Sequence, residues 1–270
     1  MYLAYYGFKE SPFDITPNPR FLFFSHKHRE AFNHLLYGIQ HRKGFVELTG
    51  EVGAGKTTLC RAVLEQLGPQ FKTALILNPV LTPKQLLKAI LMELGLKPQG
   101  KDRFDYITQL NQYLIEQAMA GNEVVLLIDD AQAMSDDLLE HIRLLSNLET
   151  TDRKLLQIVL LGQPELKEKL SQPSLRQLRQ RITVRYHLKP LDEEETANYL
   201  QHRLTTAGAN GSPRFDTASV QAIHKYSNGI PRLVNALADK TLLAGYVFQT
   251  GQLTKALVYR AIAELEGERS

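Results

Sequence analysis

Residues 50–57 read Gly-Glu-Val-Gly-Ala-Gly-Lys-Thr, which is a complete G-x-x-x-x-G-K-T phosphate-binding loop. The glycines of such a loop let its backbone N–H groups turn inward around a polyphosphate. The lysine, here Lys56, reaches the β- and γ-phosphates, and the hydroxyl of Thr57 is placed to bind Mg²⁺. The pattern predicts a nucleotide site formed by Gly50, Glu51, Val52, Gly53, Ala54, Gly55, Lys56, Thr57 and Thr58.

The sequence on either side supports this interpretation of the loop. An apolar run, Phe45-Val46-Glu47-Leu48-Thr49, precedes it, and residues 58–64 follow it with the spacing of a helix. Strand, loop and helix is the setting that a phosphate-binding loop requires, because the unpaired N–H groups and positive dipole end of the helix point at the phosphates. The alternative is a chance match in a glycine-rich turn, and the fixed pattern with its flanks argues against it.

The composition is that of an ordinary globular protein. The chain has 270 residues, 43% hydrophobic and 23% charged, enough for one large domain and a small second one. The net charge of +3 gives no reason to expect nucleic acid or an anionic membrane as a partner. Cys60 is the only cysteine, which excludes an internal disulfide. Neither an export signal nor an uncharged stretch of about 18 residues is present, so we expect a cytoplasmic chain without a membrane span.

Strand and helix patterns alternate along the first two thirds of the chain. Residues 7–25 are rich in proline and aromatics, which predicts an extended segment docked by its Phe side chains. Ser25 is the predicted N-cap of a helix over 26–40. After the phosphate-loop helix we predict a strand over 73–77, a helix from Thr82-Pro83 to residue 94, and a helix over 104–120.

Two acidic residues end the next strand. Residues 123–128 are nearly all apolar, as in a central parallel strand covered on both faces, and Asp129 and Asp130 follow. We predict a Walker B site in which Asp129 binds Mg²⁺ through its water shell and Asp130 polarises the attacking water. Many ATPases have glutamate at the second position, so the shorter Asp130 leaves the turnover rate open. A buried strand ended by two solvated acids is the alternative interpretation.

A fourth apolar strand, predicted over 155–161, is followed by Gly162-Gln163-Pro164. Ligands of open parallel sheets bind at the carboxyl ends of the strands, so the amide of Gln163 is predicted to orient water at the same edge as Asp129. The alternative role for Gln163 is that of a turn residue before the proline. The fifth predicted strand covers 182–188 and follows Arg176, Arg179 and Arg181.

The pattern becomes helical from Asp192 onward. Helices are predicted over 192–207, 216–226, 230–247 and 253–265, with turn signals between them. We therefore predict an α/β nucleotide-binding domain over 1–190, with a docking segment over 1–25, and a small all-α lid domain over 191–270. The break at Pro190-Leu191-Asp192 is the predicted hinge.

The order of these motifs, with Gly229-Ile230-Pro231-Arg232 in the helical part, resembles that of AAA+ ATPases. That resemblance implies a P-loop NTPase fold, a parallel sheet flanked by helices and followed by a helical lid. More narrowly, the chain resembles the ExeA/GspA ATPases of general (type II) secretion over essentially its whole length. The stretches that carry this likeness are Asn18-Pro19-Arg20-Phe21-Leu22-Phe23, His28-Arg29-Glu30-Ala31, Leu36-Tyr37-Gly38-Ile39, Gly162-Gln163-Pro164-Glu165-Leu166 and Arg176-Gln177-Leu178-Arg179-Gln180-Arg181-Ile182.

The resemblance implies roles for three polar side chains. Gln163 would be the sensor 1 residue, Arg181 the finger offered to a neighbouring subunit, and Arg232 the sensor 2 residue. A finger supplies charge only when another subunit is docked, so hydrolysis is expected to need a homo-oligomer, either a ring or a filament. Spacing alone leaves Arg176 and Arg179 as alternative fingers, and a solvated basic helix face as the alternative role for each arginine.

ATP is the nucleotide that the resemblance implies, and the chain has no Asn-Lys-x-Asp guanine-reading motif. The predicted catalytic residues are Lys56, Asp130, Gln163, Arg181 and Arg232, and the predicted Mg²⁺ ligands are Thr57 and Asp129. Two departures from the family pattern matter. Members usually carry Asp-Glu where this chain has Asp129-Asp130. Longer members continue into a transmembrane helix and a periplasmic peptidoglycan-binding part, so we expect a truncated chain or a relative without those parts.

Two functional classes follow from the sequence. In the first, the protein is a cytoplasmic motor or switch, held at the inner-membrane face through a protein partner, that assembles on ATP and drives a secretion or envelope-assembly step. In the second, it is a DNA-binding regulator similar to the transposition ATPases of the TniB type. Most basic residues are dispersed or paired with acids, as in Lys167-Glu168-Lys169, which favours the first class over nucleic acid as a partner. Asp130 keeps open a third class, an ATP-binding scaffold with little turnover.

Overall fold

The structure is a computed structural model that describes residues 1–14, 18–149 and 153–267. Its α-helices are α1 (Tyr2–Tyr6), α2 (His26–Gln40), α3 (Lys56–Gln66), α4 (Pro83–Glu93), α5 (Arg103–Met119), α6 (Asp136–Leu145), α7 (Pro164–Leu170), α8 (Arg176–Arg181), α9 (Glu193–Thr206), α10 (Thr217–Ser227), α11 (Pro231–Val247) and α12 (Lys255–Leu265). Its β-strands are β1 (Phe45–Gly50), β2 (Phe71–Ile76), β3 (Glu123–Ile128), β4 (Leu156–Gly162), β5 (Ile182–Leu188), β6 (Arg214–Phe215) and β7 (Gln252–Leu253).

Strands β1 to β5 form one parallel sheet in the order β2-β3-β4-β1-β5. The three central strands are buried along their whole length, as expected of a parallel sheet with both faces covered. The predicted parallel sheet is therefore confirmed. The strands predicted over 123–128 and 182–188 have those bounds, and the other predicted strands end within two residues of the observed ones. Because the strands are parallel, the carboxyl ends of β1, β3 and β4 lie along one edge.

Two compact units divide the described residues. We call residues 30–50 and 60–188 the α/β unit, and residues 1–29, 51–59 and 189–270 the helical unit. The predicted division into domains 1–190 and 191–270 stays a prediction. The compact units differ from it by grouping the N-terminal segment and most of the phosphate loop with the helical part of the chain.

The core of the α/β unit is built from β3, β4 and the helices α4, α5 and α6. Strand β3 contributes Leu126 and Ile128, and α5 contributes Leu110 and Leu114, all fully buried. Burying a leucine or isoleucine side chain contributes roughly 2 kcal/mol, so these residues make the sheet a rigid support for the loops at its carboxyl edge.

The helical unit has a separate core that includes the N-terminal segment. Phe8, Phe13 and Phe21 are buried there together with side chains of α9 to α12. The predicted docking of this segment through phenylalanines is confirmed for its described part, while residues 15–17 lie outside the described residues. The same core holds the two-residue parallel pair of β6 and β7 through Leu253.

Side-chain caps explain where several helices begin. Thr82 and Asp192 each form a capping box with the third residue of α4 and α9, and Asp102 does the same for α5. The hydroxyl of Ser25 accepts the N–H of the third residue of α2 at 3.3 Å, which confirms Ser25 as its N-cap. Each such cap contributes about 1 kcal/mol.

The sequence patterns missed α1, α6, α7, α8 and the β6–β7 pair. The arginine-rich stretch before β5 is helix α8, and Arg181 is its last residue. Short helices such as α1 and α8 give too few turns for a 3.6-residue period to stand out. Within the described ranges, no helix combines the length and apolar character that crossing a membrane requires.

Candidate functional site

Two glycines set the path of the phosphate loop. Gly53 and Gly55 have φ values of 80° and 95°, a conformation that residues with a Cβ rarely adopt. Between them, the N–H of Ala54 donates to the carbonyl of Glu51 at 3.1 Å and closes a tight turn. The loop ends at Lys56, the first residue of α3. Glycine is therefore required at the positions where the sequence pattern has it.

The ammonium of Lys56 lies over this loop. It is buried at the start of α3 and donates a hydrogen bond to the carbonyl of Glu51 at 2.9 Å. Thr57 and Thr58 follow in the first turn of α3 and are partly buried. The first N–H groups of a helix have no acceptor within it, so this turn offers donors and positive charge to an anion.

Gly50 ends β1 where the backbone of β5 comes close. A Cβ at Gly50 would lie 2.7 Å from the carbonyl oxygen of Leu188. A larger residue would push β1 away from its sheet neighbour. The first glycine of the motif therefore serves packing of the sheet immediately before the chain enters the loop.

The N-terminus of α11 contacts the same loop. The backbone N–H of Arg232 donates to the carbonyl of Gly53 at 3.2 Å. A Cβ at Gly53 would lie only 2.4 Å from Cβ of Arg232. Arg232 is exposed and directly follows Pro231, the first residue of α11. The predicted sensor 2 residue thus lies against the phosphate loop through its backbone.

His28 contacts the loop from α2. Its Nε2 lies 3.1 Å from the carbonyl oxygen of Ala54, and its Nδ1 lies 2.9 Å from Oγ of Ser25. Burial lowers the pKa of His28, so the imidazole is neutral near pH 7. His28 lies in one of the stretches that carry the family likeness, but no role for this residue was predicted from the sequence.

The two acids after β3 differ in their surroundings. Asp129 is buried, and its Oδ1 accepts the N–H of Asp130 at 2.9 Å. Asp130 is exposed and has φ of 50°, a left-handed conformation that aspartate tolerates better than most residues. The turn directs the two carboxylates into different environments, one enclosed at the end of the sheet and one open to water.

Gln132 joins two of the predicted catalytic residues and was missed from the sequence. Its Nε2 donates to Oδ1 of Asp130 at 3.0 Å, and its Oε1 accepts the backbone N–H of Gln163 at 3.1 Å. One amide side chain therefore fixes the carboxylate of Asp130 relative to the turn that carries Gln163. Gln132 lies in a 3₁₀ turn without a motif, so nothing in the sequence marked it.

Arg181 binds the end of α6. Its Nη1 donates to Oγ of Ser146 at 2.6 Å and lies 3.4 Å from the carbonyl of Arg143. Arg176 and Arg179, five and two residues earlier on α8, are exposed. Of the three arginines, Arg181, the predicted finger, is thus the one whose guanidinium is bonded to groups within the described part of its own chain.

Cys60 has no reactive surroundings. It is buried in α3, and burial, together with the charge of Asp129, raises the pKa of its thiol. A protonated, enclosed thiol acts as a small apolar side chain.

The predicted site residues fall into two sets, each within one compact unit. The helical unit contains the loop residues 51–58 and Arg232, and it also contains His28, which was not predicted. In the α/β unit, the parallel sheet places Gly50, Asp129 and Gln163 at one edge, where β1, β3 and β4 end. Among the described residues, no group of three or more His, Cys, Asp or Glu side chains comes together to hold a metal ion. A cation bound beside Asp129 would therefore need a phosphate and water as further ligands.

Comparison with known sequences gives two findings. Residues 39–170 match the AAA domain family. Over its full length, across 274 aligned residues, the chain is 45% identical to General secretion pathway protein A of Aeromonas hydrophila. The chain spans 49% of the length of that relative.

Comparison with solved structures gives the same fold. The ORC2 protein of Aeropyrum pernix superposes with a TM-score of 0.71 and 18% identity, covering 95% of this chain and 72% of that one. The RuvB branch migration motor of Thermotoga maritima superposes with a TM-score of 0.59 and 17% identity, covering 90% and 69%. At such identities the likeness establishes the shared fold alone.

Proposed function

Because the chain belongs to the AAA+ ATPases of the ExeA/GspA type, we propose that it binds ATP with Mg²⁺, hydrolyses it and assembles with copies of itself. The observation that carries this proposal is the phosphate loop. Two left-handed glycines, a lysine ammonium lying over the loop and the N-terminus of α3 together offer the donors and positive charge that a polyphosphate requires.

The donor set fits ATP and Mg²⁺. Lys56 would neutralise the β- and γ-phosphates, and the hydroxyl of Thr57 and the carboxylate of Asp129 would hold Mg²⁺, a cation that prefers one or two protein oxygens plus phosphates and water. When bound, Mg²⁺ neutralises charge that develops on the phosphates. Asp130 would accept a proton from the attacking water, and Gln132 would keep its carboxylate in place.

Turnover is proposed to depend on assembly. Gln163 would orient water, and an arginine from α8 of a neighbouring subunit would complete the site. Arg232 would contact the γ-phosphate and so couple ATP hydrolysis to a change in the helical unit. Arg181 is the proposed finger, with Arg176 and Arg179 as alternatives. An arginine supplied by a neighbour can raise turnover by roughly 10³-fold or more.

The biological step is proposed from the relative. General secretion pathway protein A shares the whole length of this chain, so we propose a secretion or envelope-assembly role, at the cytoplasmic face of the inner membrane through a protein partner. A DNA-binding regulator is not favoured. Several basic side chains are committed to carboxylates, including Arg185 to Glu47 and Lys27 to Glu195, and are not arrayed for phosphates.

The test is ATP turnover per subunit across a wide protein concentration series, with and without duplex DNA at moderate salt. We expect the specific activity to rise with protein concentration and to be the same with and without DNA. The Lys56→Ala variant is the control and should lose tight nucleotide binding. Strong stimulation by DNA would replace the secretion role with the DNA-binding one, and turnover that stays flat and negligible would reduce the protein to an ATP-binding scaffold.

A further inference from the structure

The peptide between Ala54 and Gly55 lies at the centre of the phosphate loop. In a trans peptide the C=O and the following N–H point in opposite directions. Whatever holds the carbonyl of Ala54 therefore also sets the direction of the N–H of Gly55. Gly55 has φ of 95° and no Cβ, so steric repulsion alone does not fix the orientation of this peptide. The orientation therefore depends on the groups that bond to it.

The side chain of His28 holds that carbonyl. A carbonyl oxygen can only accept, so Nε2 of His28, 3.1 Å away, must carry the proton. In the neutral ring Nδ1 is then the acceptor, and the hydroxyl of Ser25 donates to it at 2.9 Å. Ser25 thus selects the tautomer that the contact with Ala54 needs.

This chain of bonds is enclosed and has little room to rearrange. His28 is 4% and Ser25 is 3% exposed. Ala54 is also buried, and a Cβ at Gly55 would lie 3.4 Å from Nε2 of His28. Since water has little access to compete for the carbonyl, the imidazole N–H is the donor that decides its orientation.

We propose that His28 is a positioning residue for nucleotide binding: by holding the Ala54 carbonyl through Nε2–H, it directs the Gly55 N–H at the phosphates. This inference rests on the proposed function. The ligand class is a nucleoside di- or triphosphate, because the oriented N–H serves a phosphate oxygen. Adenosine lacks phosphates, so the affinity of the protein for adenosine should not change when His28 is substituted.

Two substitutions separate the two ring nitrogens. In His28→Gln the amide N–H₂ falls near Nε2 and can still donate to Ala54. In His28→Asn the amide falls near Nδ1, so it can still meet Ser25 but does not reach the loop. Both variants are of similar polarity, and a purely structural role for His28 would not rank them this way.

The experiment measures ATP, ADP and adenosine affinity of the full chain by calorimetry, with folding checked by circular dichroism. His28→Asn is expected to bind ATP and ADP about 10-fold more weakly, the effect of one hydrogen bond, with His28→Gln close to wild type and adenosine unchanged. Equal ATP affinity of wild type and His28→Asn, or equal losses in both variants, would overturn the proposal. If both His28 variants unfold, Ser25→Ala decides: unchanged ATP affinity there also overturns it.

Lys56→Ala separates this inference from the function beneath it. If wild-type protein binds ATP and Lys56→Ala does not, the nucleotide site stands whatever His28 does. If the wild-type chain does not bind ATP, the proposed function fails and the positioning role fails with it.

Discussion

The N–H of Arg232 donates to the carbonyl of Gly53 across 3.2 Å, so the start of α11 and the phosphate loop share a backbone hydrogen bond. The first N–H groups of a helix lack partners within it, and the loop supplies an acceptor for one of them. Because this contact lies within the helical unit, a rearrangement of the Gly53 peptide must change how α11 begins. If nucleotide binds in the loop as proposed, this bond would connect the bound nucleotide directly to α11.

Gly53→Ala is expected to break this arrangement. The new Cβ would meet Cβ of Arg232 at 2.4 Å and would also strain a backbone with φ of 80°. The control is Gly44→Ala, which has nearly the same φ of 79° but nothing within 4 Å of the new Cβ. Both should lose about 1 kcal/mol of folding stability from the left-handed backbone. Gly53→Ala alone should lose ATP affinity in calorimetry. Equal affinities in the two variants would show that the contact with Arg232 does not matter.

Arg203 is expected to be the main anchor of the N-terminal segment. It is buried, donates to the carbonyls of Pro12 and Asp14, and stacks over the ring of Phe21 at 4.6 Å. Burial lowers the pKa of its guanidinium, which remains charged because arginine titrates far above pH 7. Arg203→Met would keep the apolar bulk but would remove the guanidinium hydrogen bonds to both carbonyls, at about 1–3 kcal/mol. The carbonyl of Asp14 would keep the side-chain amide of Asn235 as a donor at 3.4 Å.

Thermal denaturation and limited proteolysis would measure the effect of Arg203→Met. We expect a lower melting temperature and faster cleavage near residues 7–25. The matched control is Arg260→Met, since Arg260 also lies over a ring, that of Phe248 at 5.1 Å, but is exposed. Its effect should stay within about 0.5 kcal/mol. Arg203→Met that melts and cleaves like Arg260→Met would mean that apolar packing alone docks the segment.

Local patterns were enough to predict much of this molecule. The phosphate loop, the strand before Asp129 and the capped helices each depend on residues within a few positions of one another, so the sequence shows them directly. The edge strand β2 begins at Phe71, two residues earlier than predicted. The prediction missed Phe71 and Lys72 because both are only half buried and do not show the apolar pattern of a core strand.

The rest of the site depends on contacts between distant segments. Gln132 meets Gln163 across 31 positions, and His28 meets Ala54 across 26. Neither glutamine nor histidine has a local signature at such positions, because what defines their roles is a tertiary partner. Arg181 shows the same limit, since its position before β5 was visible from the sequence but its bond to Ser146 was not.

Glu47 is expected to make stability depend on pH. It is buried on β1, and although Arg185 at 3.2 Å and Lys167 favour its charge, burial outweighs them and raises its pKa above the ordinary 4.5. The folded state therefore binds this proton more tightly than the unfolded state. Its contribution to stability is fully present below pH 4.5 and falls as pH rises through the raised pKa.

Glu47→Gln should remove that loss. We expect its melting temperature to exceed that of wild type at pH 7 to 8, and the difference to shrink toward pH 4. Glu149→Gln is the control of opposite sign, because Lys154 lowers the pKa of Glu149, whose charge therefore favours folding above the ordinary pKa. A Glu47→Gln protein that is less stable than wild type at pH 8 would show that the pair with Arg185 is net stabilising.

Arg181 is expected to act on the nucleotide of a neighbouring subunit, which mixing experiments can detect. Arg181→Ala should lower ATP turnover by a factor on the order of 10³, the size of effect that a finger in trans has. Asp130→Asn should also be inactive but should bind ATP and keep an intact Arg181. Mixed together, the two inactive proteins should regain turnover, because an Arg181→Ala subunit receives the arginine of its Asp130→Asn neighbour.

Two further mixtures make this result specific. Arg176→Ala and Arg179→Ala, tested alone and with Asp130→Asn, identify which arginine of α8 is the finger, since only that variant should be inactive alone and rescued by mixing. Ser146→Ala removes the hydroxyl that binds Arg181 at 2.6 Å and should leave turnover in the assembled protein largely intact if the guanidinium acts on the neighbour. If Arg181→Ala is inactive and mixing restores nothing, its bonds to Ser146 and Arg143 within its own subunit account for the loss.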